Sequence, residues 1–281
     1  MKNTTELYEN KYTKSQQFSF GKNWQDFIKK SFTPERIANA QLSLVDFLGK
    51  SNLIKGKTFV DIGCGSGLFS LTAYNEGARQ IVSVDVDSVS VSCTNELKKM
   101  AGSPSNWTVI HGSALDADFI RSLGQFDILY SWGALHHTGD MYRALTNMTY
   151  LLSENSLFYL AIYNRGRIPW SGTSEFWLSV KRVYSKSGKP VKHGIFILYV
   201  IYFFINSLLI FRNPFKTIKK GNRRGMDWYH NIIDWLGGYP YEFASPDEIV
   251  NFFAKRNIYC EKITNGFGLG CVDYLFRYIP R

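Results

Sequence analysis

Between residues 57 and 163, five short apolar runs alternate with helix-like stretches. The runs are KTFVDIG (57–63), QIVSVDV (80–86), NWTVIHG (106–112), FDILYS (126–131) and SLFYLAIY (156–163). Strands that alternate with helices pair in parallel through right-handed crossovers and are covered by helices on both faces. The pattern therefore predicts an α/β chain with a doubly wound, mostly parallel sheet. Residues 23–30 and 34–49 also have helical patterns.

After the fifth run the alternation stops, and about 75 residues intervene before SPDEIVNFFAKR (245–256). There Ser245 suits an N-cap, Pro246 the first turn and Glu248 a capping box. IYCEKI and CVDYLFRYI then predict a closing antiparallel pair. The division that follows is N-terminal helices (1–50), an α/β core (51–164), a helical insertion (165–240) and a C-terminal helix with hairpin (241–281).

FVDIGCGSGLFS (59–70) runs from a strand through a glycine loop into a helix. Gly63, Cys64, Gly65 and Gly67 form the loop, with Asp61 before it; glycines let a ligand approach the backbone. Pyrophosphate sites prefer GxGxxG, and Asp61 would repel an anion. A ligand with an ammonium group, such as S-adenosyl-L-methionine (SAM), fits better. Asp85, with Val86 beside it, ends the next strand, where a carboxylate accepts ribose hydroxyls.

These motifs resemble those of the class I SAM-dependent methyltransferases. VDIGCGSG looks like their first motif and VSVDVD like their second, while FDILYSWGALHHTGD is similar to their fourth. The LHHT form is similar to the branch often labelled quinone and small-molecule methylases. The resemblance implies a seven-stranded Rossmann-like sheet with a reversed final hairpin. It implies SAM as cofactor, S-adenosyl-L-homocysteine (SAH) as its product, and adenine contacts from Ser113 and Ala114 in HGSALD (111–116). Two departures stand out. Ser153-Glu154-Asn155-Ser156 replaces the usual Gly-Gly turn, and the long insertion is absent from plain quinone C-methylases.

Ser131, Trp132 and Gly133 end the fourth strand, on the edge where open α/β sheets bind ligands. His136 and His137 follow. Neighbouring residues on a helix diverge by about 100°, so only one can serve as the working base. Metal-ligand spacing is lacking; no metal is expected. A neutral imidazole suits acceptance of a substrate hydroxyl proton, and the resemblance favours His136. His230 and Asp234, four apart, form a second candidate pair. Tyr163 and Asn164 are positioned to line the substrate pocket, and Phe20 and Trp24 to cover the cofactor or pack the core.

Residues 165–224 hold thirteen of the 33 Lys and Arg and one acid, Glu175, so this segment carries +12 in a chain of net charge +10. It includes the apolar run 195–211, which is short for a membrane span and interrupted by Asn206 and Ser207. That predicts a buried or interfacial helix in a cap that is apolar inside and cationic outside. A cationic rim suits an anionic small-molecule or glycan acceptor, phosphorylated or lipid-linked, and docking on an anionic membrane face. The activity expected is O-methylation of a hydroxyl or acidic oxygen by in-line transfer. Alternatives are C-methylation of a quinone-type ring, RNA methylation and a non-catalytic SAM-binding scaffold. Nucleic acid is the weaker partner, since no RNA-binding motif occurs. Four cysteines without a CxxC pair and a polar N-terminal stretch predict a cytoplasmic chain, in peripheral contact with membrane if the cap docks there.

Overall fold

The computed structural model describes residues 21, 24–25, 33–49, 52–168, 172–209, 211, 213–220, 228–264 and 268–280. Phe20 and most of the predicted helix 23–30 lie outside the described residues. Helix α1 (Pro34–Leu48) starts where the Thr33 side chain accepts from Arg36 N–H, and ends at Gly49 in the left-handed region. The core then runs β1 (Thr58–Ile62), α2 (Leu68–Asn75), β2 (Gln80–Asp85), α3 (Ser88–Met100), β3 (Trp107–His111), α4 (Ala117–Ser122), β4 (Phe126–Trp132), α5 (Met141–Met148) and β5 (Leu152–Tyr163). Every residue of β1 is buried, as expected of a central parallel strand covered on both faces.

The seven strands lie in the order β3-β2-β1-β4-β5-β9-β8. The first five are parallel; β9 (Cys271–Tyr278) inserts antiparallel between β5 and β8 (Ile258–Thr264). Alternate side chains divide between two cores. Phe59, Ile81, Ile128 and Tyr130 pack on one face with Leu44 of α1, Leu71 of α2 and Leu97 of α3. Val60, Val82, Leu129 and Phe158 pack on the other with Ile120 of α4 and Leu145 of α5. The order reverses between β1 and β4, which opens a crevice at their carboxyl ends.

The predicted turn at 153–156 is instead a bulge within β5. Phe126 pairs with Leu152 and Ile128 with Leu157, so extra residues loop out around Asn155, whose φ is 62°. At the C-terminal helix that opens at Pro246, both halves of the Ser245–Glu248 capping box form.

The insertion begins with a two-stranded ribbon, β6 (Arg167–Ile168) and β7 (Gly172–Thr173), followed by α6 (Ser174–Lys186), α7 (Lys189–Leu209), α8 (Pro214–Lys220) and α9 (Trp228–Gly237). Helix α10 (Pro246–Ala254) then returns to the core. Trp177, Tyr184, Ile232, Leu236, Tyr241 and Leu269 form a separate core for the insertion, with Trp228 and Trp235 packed against it.

The expected division of this cap into an apolar inside and a cationic outside is corrected at two places. Only 6% of the most apolar part of α7 is buried, and Leu198, Ile201, Ile205 and Leu208 on one of its sides face outward. Lys181, conversely, is completely buried. Its Nζ donates to the Trp235 carbonyl and lies 4.1 Å from the Trp235 ring and 4.7 Å from the Tyr241 ring. The aromatic cluster supplies cation-π contacts and little water.

Burial lowers the Lys181 pKa from 10.5 to about 7, against the opposing pull of Asp234. A lysine whose pKa falls on folding gives up a proton that the unfolded chain keeps. Its stability penalty is therefore complete below about pH 7 and fades as pH rises toward 10.5. Lys181→Met is expected to raise stability by about 1–4 kcal/mol at neutral or lower pH. Denaturant melts across pH should show this gain shrinking on the alkaline side.

Candidate functional site

The glycine loop closes through bonds that its sequence makes possible. Gly63, Gly65 and Gly67 have φ of 79°, 56° and 81°, a region that β-carbons disfavour. A Cβ on Gly63 would meet that of Ala134 at 2.2 Å, and one on Gly67 would crowd Thr94. Gly63 and Cys64 N–H both donate to the Val84 carbonyl. Gly65 N–H donates to Asp85 Oδ2 at 2.9 Å, and Asp87 N–H donates to Asp85 Oδ1 at 2.9 Å. The loop is thus fastened to the end of β2.

Asp61 sits beneath the loop, 1% exposed. It accepts from Ser70 Oγ at 2.7 Å; Ser70 accepts from Ser83 Oγ at 2.7 Å; Ser83 accepts from Trp107 Nε1 at 2.8 Å. This buried chain crosses from β3 through β2 to β1 and fixes the Asp61 carboxylate. Cys64 Sγ lies 3.3 Å from Thr94 Oγ1, and burial keeps the thiol protonated by raising its pKa. Val86 is 48% exposed beside Asp85, offering an apolar shelf at the crevice. Ser113 Oγ accepts from Leu115 N–H and stabilises the turn after β3.

The covering segment reaches the same place. Gly21 N–H donates to Asp87 Oδ2 at 2.9 Å, and the Trp24 indole lies where a Cβ on Gly65 would be, 2.8 Å from Nε1. Asp61, Asp85 and Asp87 make this loop strongly negative. Such a setting repels a pyrophosphate and fits a cationic nucleoside. The residues present therefore fit SAM, with Asp61 below the loop and Asp85 at its rim.

At the end of β4, Ser131 is fully buried and its hydroxyl donates to the Ile62 carbonyl at 2.8 Å, tying β4 to β1. The Trp132 indole N–H donates to Asp273 of β9 at 2.5 Å. Both side chains brace the sheet edge, and their backbone then turns at Gly133, φ 72°.

The two histidines share a single turn of 3₁₀ helix, Leu135–His137, but differ in chemistry. His137 Nδ1 lies 2.6 Å from the Pro240 carbonyl. A carbonyl only accepts, so Nδ1 carries the proton and Nε2 the lone pair. His136 Nδ1 accepts from Tyr163 N–H at 3.3 Å. A backbone N–H only donates, so His136 carries its proton on Nε2, which has no partner within ordinary hydrogen-bond distance among the described residues, although the Ala161 backbone draws the ring's pKa upward. Burial, with His137 and Lys181 adding to it, holds the His136 pKa well below its usual range. Burial takes His137 down to about 3. Both rings are neutral at physiological pH.

A segment that sequence reasoning passed over holds these rings. Glu242 N–H donates to the His136 carbonyl at 2.9 Å, and the Glu242 carboxylate accepts from Met141 N–H at the start of α5. Ala244 N–H donates to the Tyr163 carbonyl, extending the edge of β5. Gly238 lies against the His137 ring; a Cβ there would come within 2.7 Å of Cε1. The Tyr163 ring stands 4.1 Å from His136 and 4.9 Å from Tyr241. Asn164 Nδ2 donates to the Gly268 carbonyl. Gly237-Gly238 followed by Tyr239-Pro240 reads as a helix stop; the second glycine also marks a close approach.

Of the second predicted pair, the His230 backbone belongs to α9 and its side chain lies outside the described residues. Asp234 acts electrostatically on Lys181 and Tyr163.

A family model described as a methyltransferase domain matches residues 59–155. The chain carries a class I SAM-dependent methyltransferase domain. The matched region spans the glycine loop, Asp85, HGSALD and both histidines. The methyltransferase domain is 31% identical over 84 residues to a tRNA U34 carboxymethyltransferase of Shewanella halifaxensis, covering 30% of this chain and 24% of that protein. The chain thus spans about a quarter of that relative's length. Its fold is similar to PKMT2 from Rickettsia typhi in complex with AdoHcy: TM-score 0.57, 15% identity, 89% of this chain and 54% of that one. It is also similar to magnesium protoporphyrin IX methyltransferase from Synechocystis PCC 6803 with bound SAH: TM-score 0.53, 12% identity, 98% of this chain and 100% of that one.

Two outcomes follow for the methyltransferase domain. Burial raises the Asp85 pKa from 3.8 to about 6. The carboxylate, the form that accepts hydroxyl hydrogen bonds, is thus lost as pH falls through about 6. SAH affinity measured by calorimetry should be flat above that pH and fall up to about tenfold per unit below it. Asp85→Asn should remove the inflection. Gly238→Ala should push the His137 ring aside and cut turnover while leaving SAH affinity unchanged, which kinetics and calorimetry on one preparation would separate.

Proposed function

We propose that the chain transfers a methyl group from SAM to an oxygen of a small-molecule or glycan acceptor, with His137 as the proton acceptor. The observation that carries this reading is the opposite tautomers of the two adjacent imidazoles. His137 keeps its lone pair on Nε2, with Nδ1 held by the Pro240 carbonyl. His136, favoured by family resemblance alone, presents a proton and can only donate while Tyr163 N–H occupies its other nitrogen. On this reading the base is His137 rather than His136, and His136 orients the acceptor.

When bound, SAM supplies an activated methyl group on a positively charged sulfur. The glycine loop and Asp61 would hold its amino-acid end, and Asp85 its ribose. The chain's remaining work is alignment of the acceptor and exclusion of water. An imidazole with a pKa of about 3 is a weak base in the resting site. It becomes adequate because proton transfer to His137 coincides with loss of positive charge at sulfur. The net charge enclosed by the site does not change. An anionic acceptor is supported by the basic insertion, and a cytoplasmic setting by four cysteines without a CxxC pair.

Turnover, followed as SAH release with a panel of hydroxylated and phosphorylated acceptors, tests this. His137→Gln should lower kcat by about 10²–10⁴ while SAH binding persists. His136→Gln should lower it less and raise KM. A His136 variant more damaging to kcat than the His137 variant would contradict the tautomer assignment.

A further inference from the structure

Helix α7 is 21 residues long, with a mean hydropathy of 1.6 over its most apolar stretch. One side is committed to the cap: Ile195, Phe196, Tyr199 and Val200 pack against its core, and the Phe203 ring lies tilted 5.3 Å from that of Trp228. The other side exposes Val191 (50%), Leu198 (67%), Ile201 (49%), Ile205 (53%) and Leu208 (66%). Their spacing of three, four and seven places them along one stripe. Phe211, fully exposed, and Phe215, at 70%, continue the apolar surface beyond the helix. A contiguous exposed patch of this kind marks an interaction surface.

Charge distinguishes the candidate occupants. No charged residue occurs between Lys192 and Arg212. A helical partner in water normally finds charged positions flanking the apolar seam, and a protein interface has a polar rim; this stripe has neither on its own helix. In the sequence, cations border the apolar run on both sides. Lys186, Lys189 and Lys192 stand at or before the start, and Arg212, Lys216, Lys219, Lys220, Arg223 and Arg224 follow the end. An apolar middle with cationic ends matches an acyl layer bordered by anionic headgroups. A bilayer crossing would put lipid around α7, whereas one of its sides packs against the cap core.

We infer that the outward stripe of α7 docks the protein on the surface of an anionic lipid bilayer, with the helix lying in the membrane plane. The inference does not depend on which histidine serves as base. The full-length chain is tested by flotation with phosphatidylcholine vesicles, with and without phosphatidylglycerol. Anionic vesicles should bind it about tenfold or more better than neutral ones, and added salt should weaken the binding. Replacing Leu198, Ile201, Ile205 and Leu208 together by Gln should abolish flotation while leaving SAH affinity, and hence the fold, intact.

Absence of wild-type flotation would overturn the inference, as would undiminished flotation of the folded quadruple variant. A wild-type dimer by light scattering that the same variant dissolves, without vesicle binding, would assign the stripe to a second copy instead. Resistance to alkaline extraction would assign it to a membrane span.

Discussion

The hydrogen bond from Gly65 N–H to Asp85 Oδ2 joins the loop after β1 to the end of β2. It demands a backbone that approaches a carboxylate closely, and a residue at position 65 that tolerates a positive φ. Asp85 accepts a second backbone N–H from Asp87, so one side chain shapes the loop and starts α3. From below, the Asp61–Ser70–Ser83–Trp107 chain holds the other acid in place. Burying that carboxylate without such partners would be costly. The loop, the two acids and the first three strands therefore form one rigid unit, on which the crevice between β1 and β4 opens.

The histidine turn is built differently. Its rings are held by a segment far away in sequence, through Pro240, Glu242 and Ala244. That segment reaches the crevice only because the insertion folds over the end of β5 and returns. The cap consequently serves the site even where it does not face it. Lys181 shows the tension in this arrangement: a buried amine, caged by Trp235 and Tyr241, sits close enough to disfavour a charge on either imidazole.

Local patterns revealed the parallel sheet, the glycine loop, both acids and the capping box of α10, because each depends on residues adjacent in sequence. The tautomers of His136 and His137 did not follow from LHHT, since they are set by Tyr163 N–H and the Pro240 carbonyl. Nor did the buried Lys181 and the exposed apolar side of α7. Composition counted Lys181 among surface cations, and hydropathy could not say which face of α7 would find a partner. Ser153–Ser156 looked like a turn because its residues are turn formers; pairing with β4 on both sides absorbed them as a bulge.

The central claim is that the fastened, acid-lined glycine loop receives a cationic nucleoside. Paired calorimetric titrations of the folded chain with SAH and with a reduced nicotinamide dinucleotide test it most directly. The account predicts one saturable site for SAH and no heat from the dinucleotide. Saturable binding of the dinucleotide with none of SAH would contradict it.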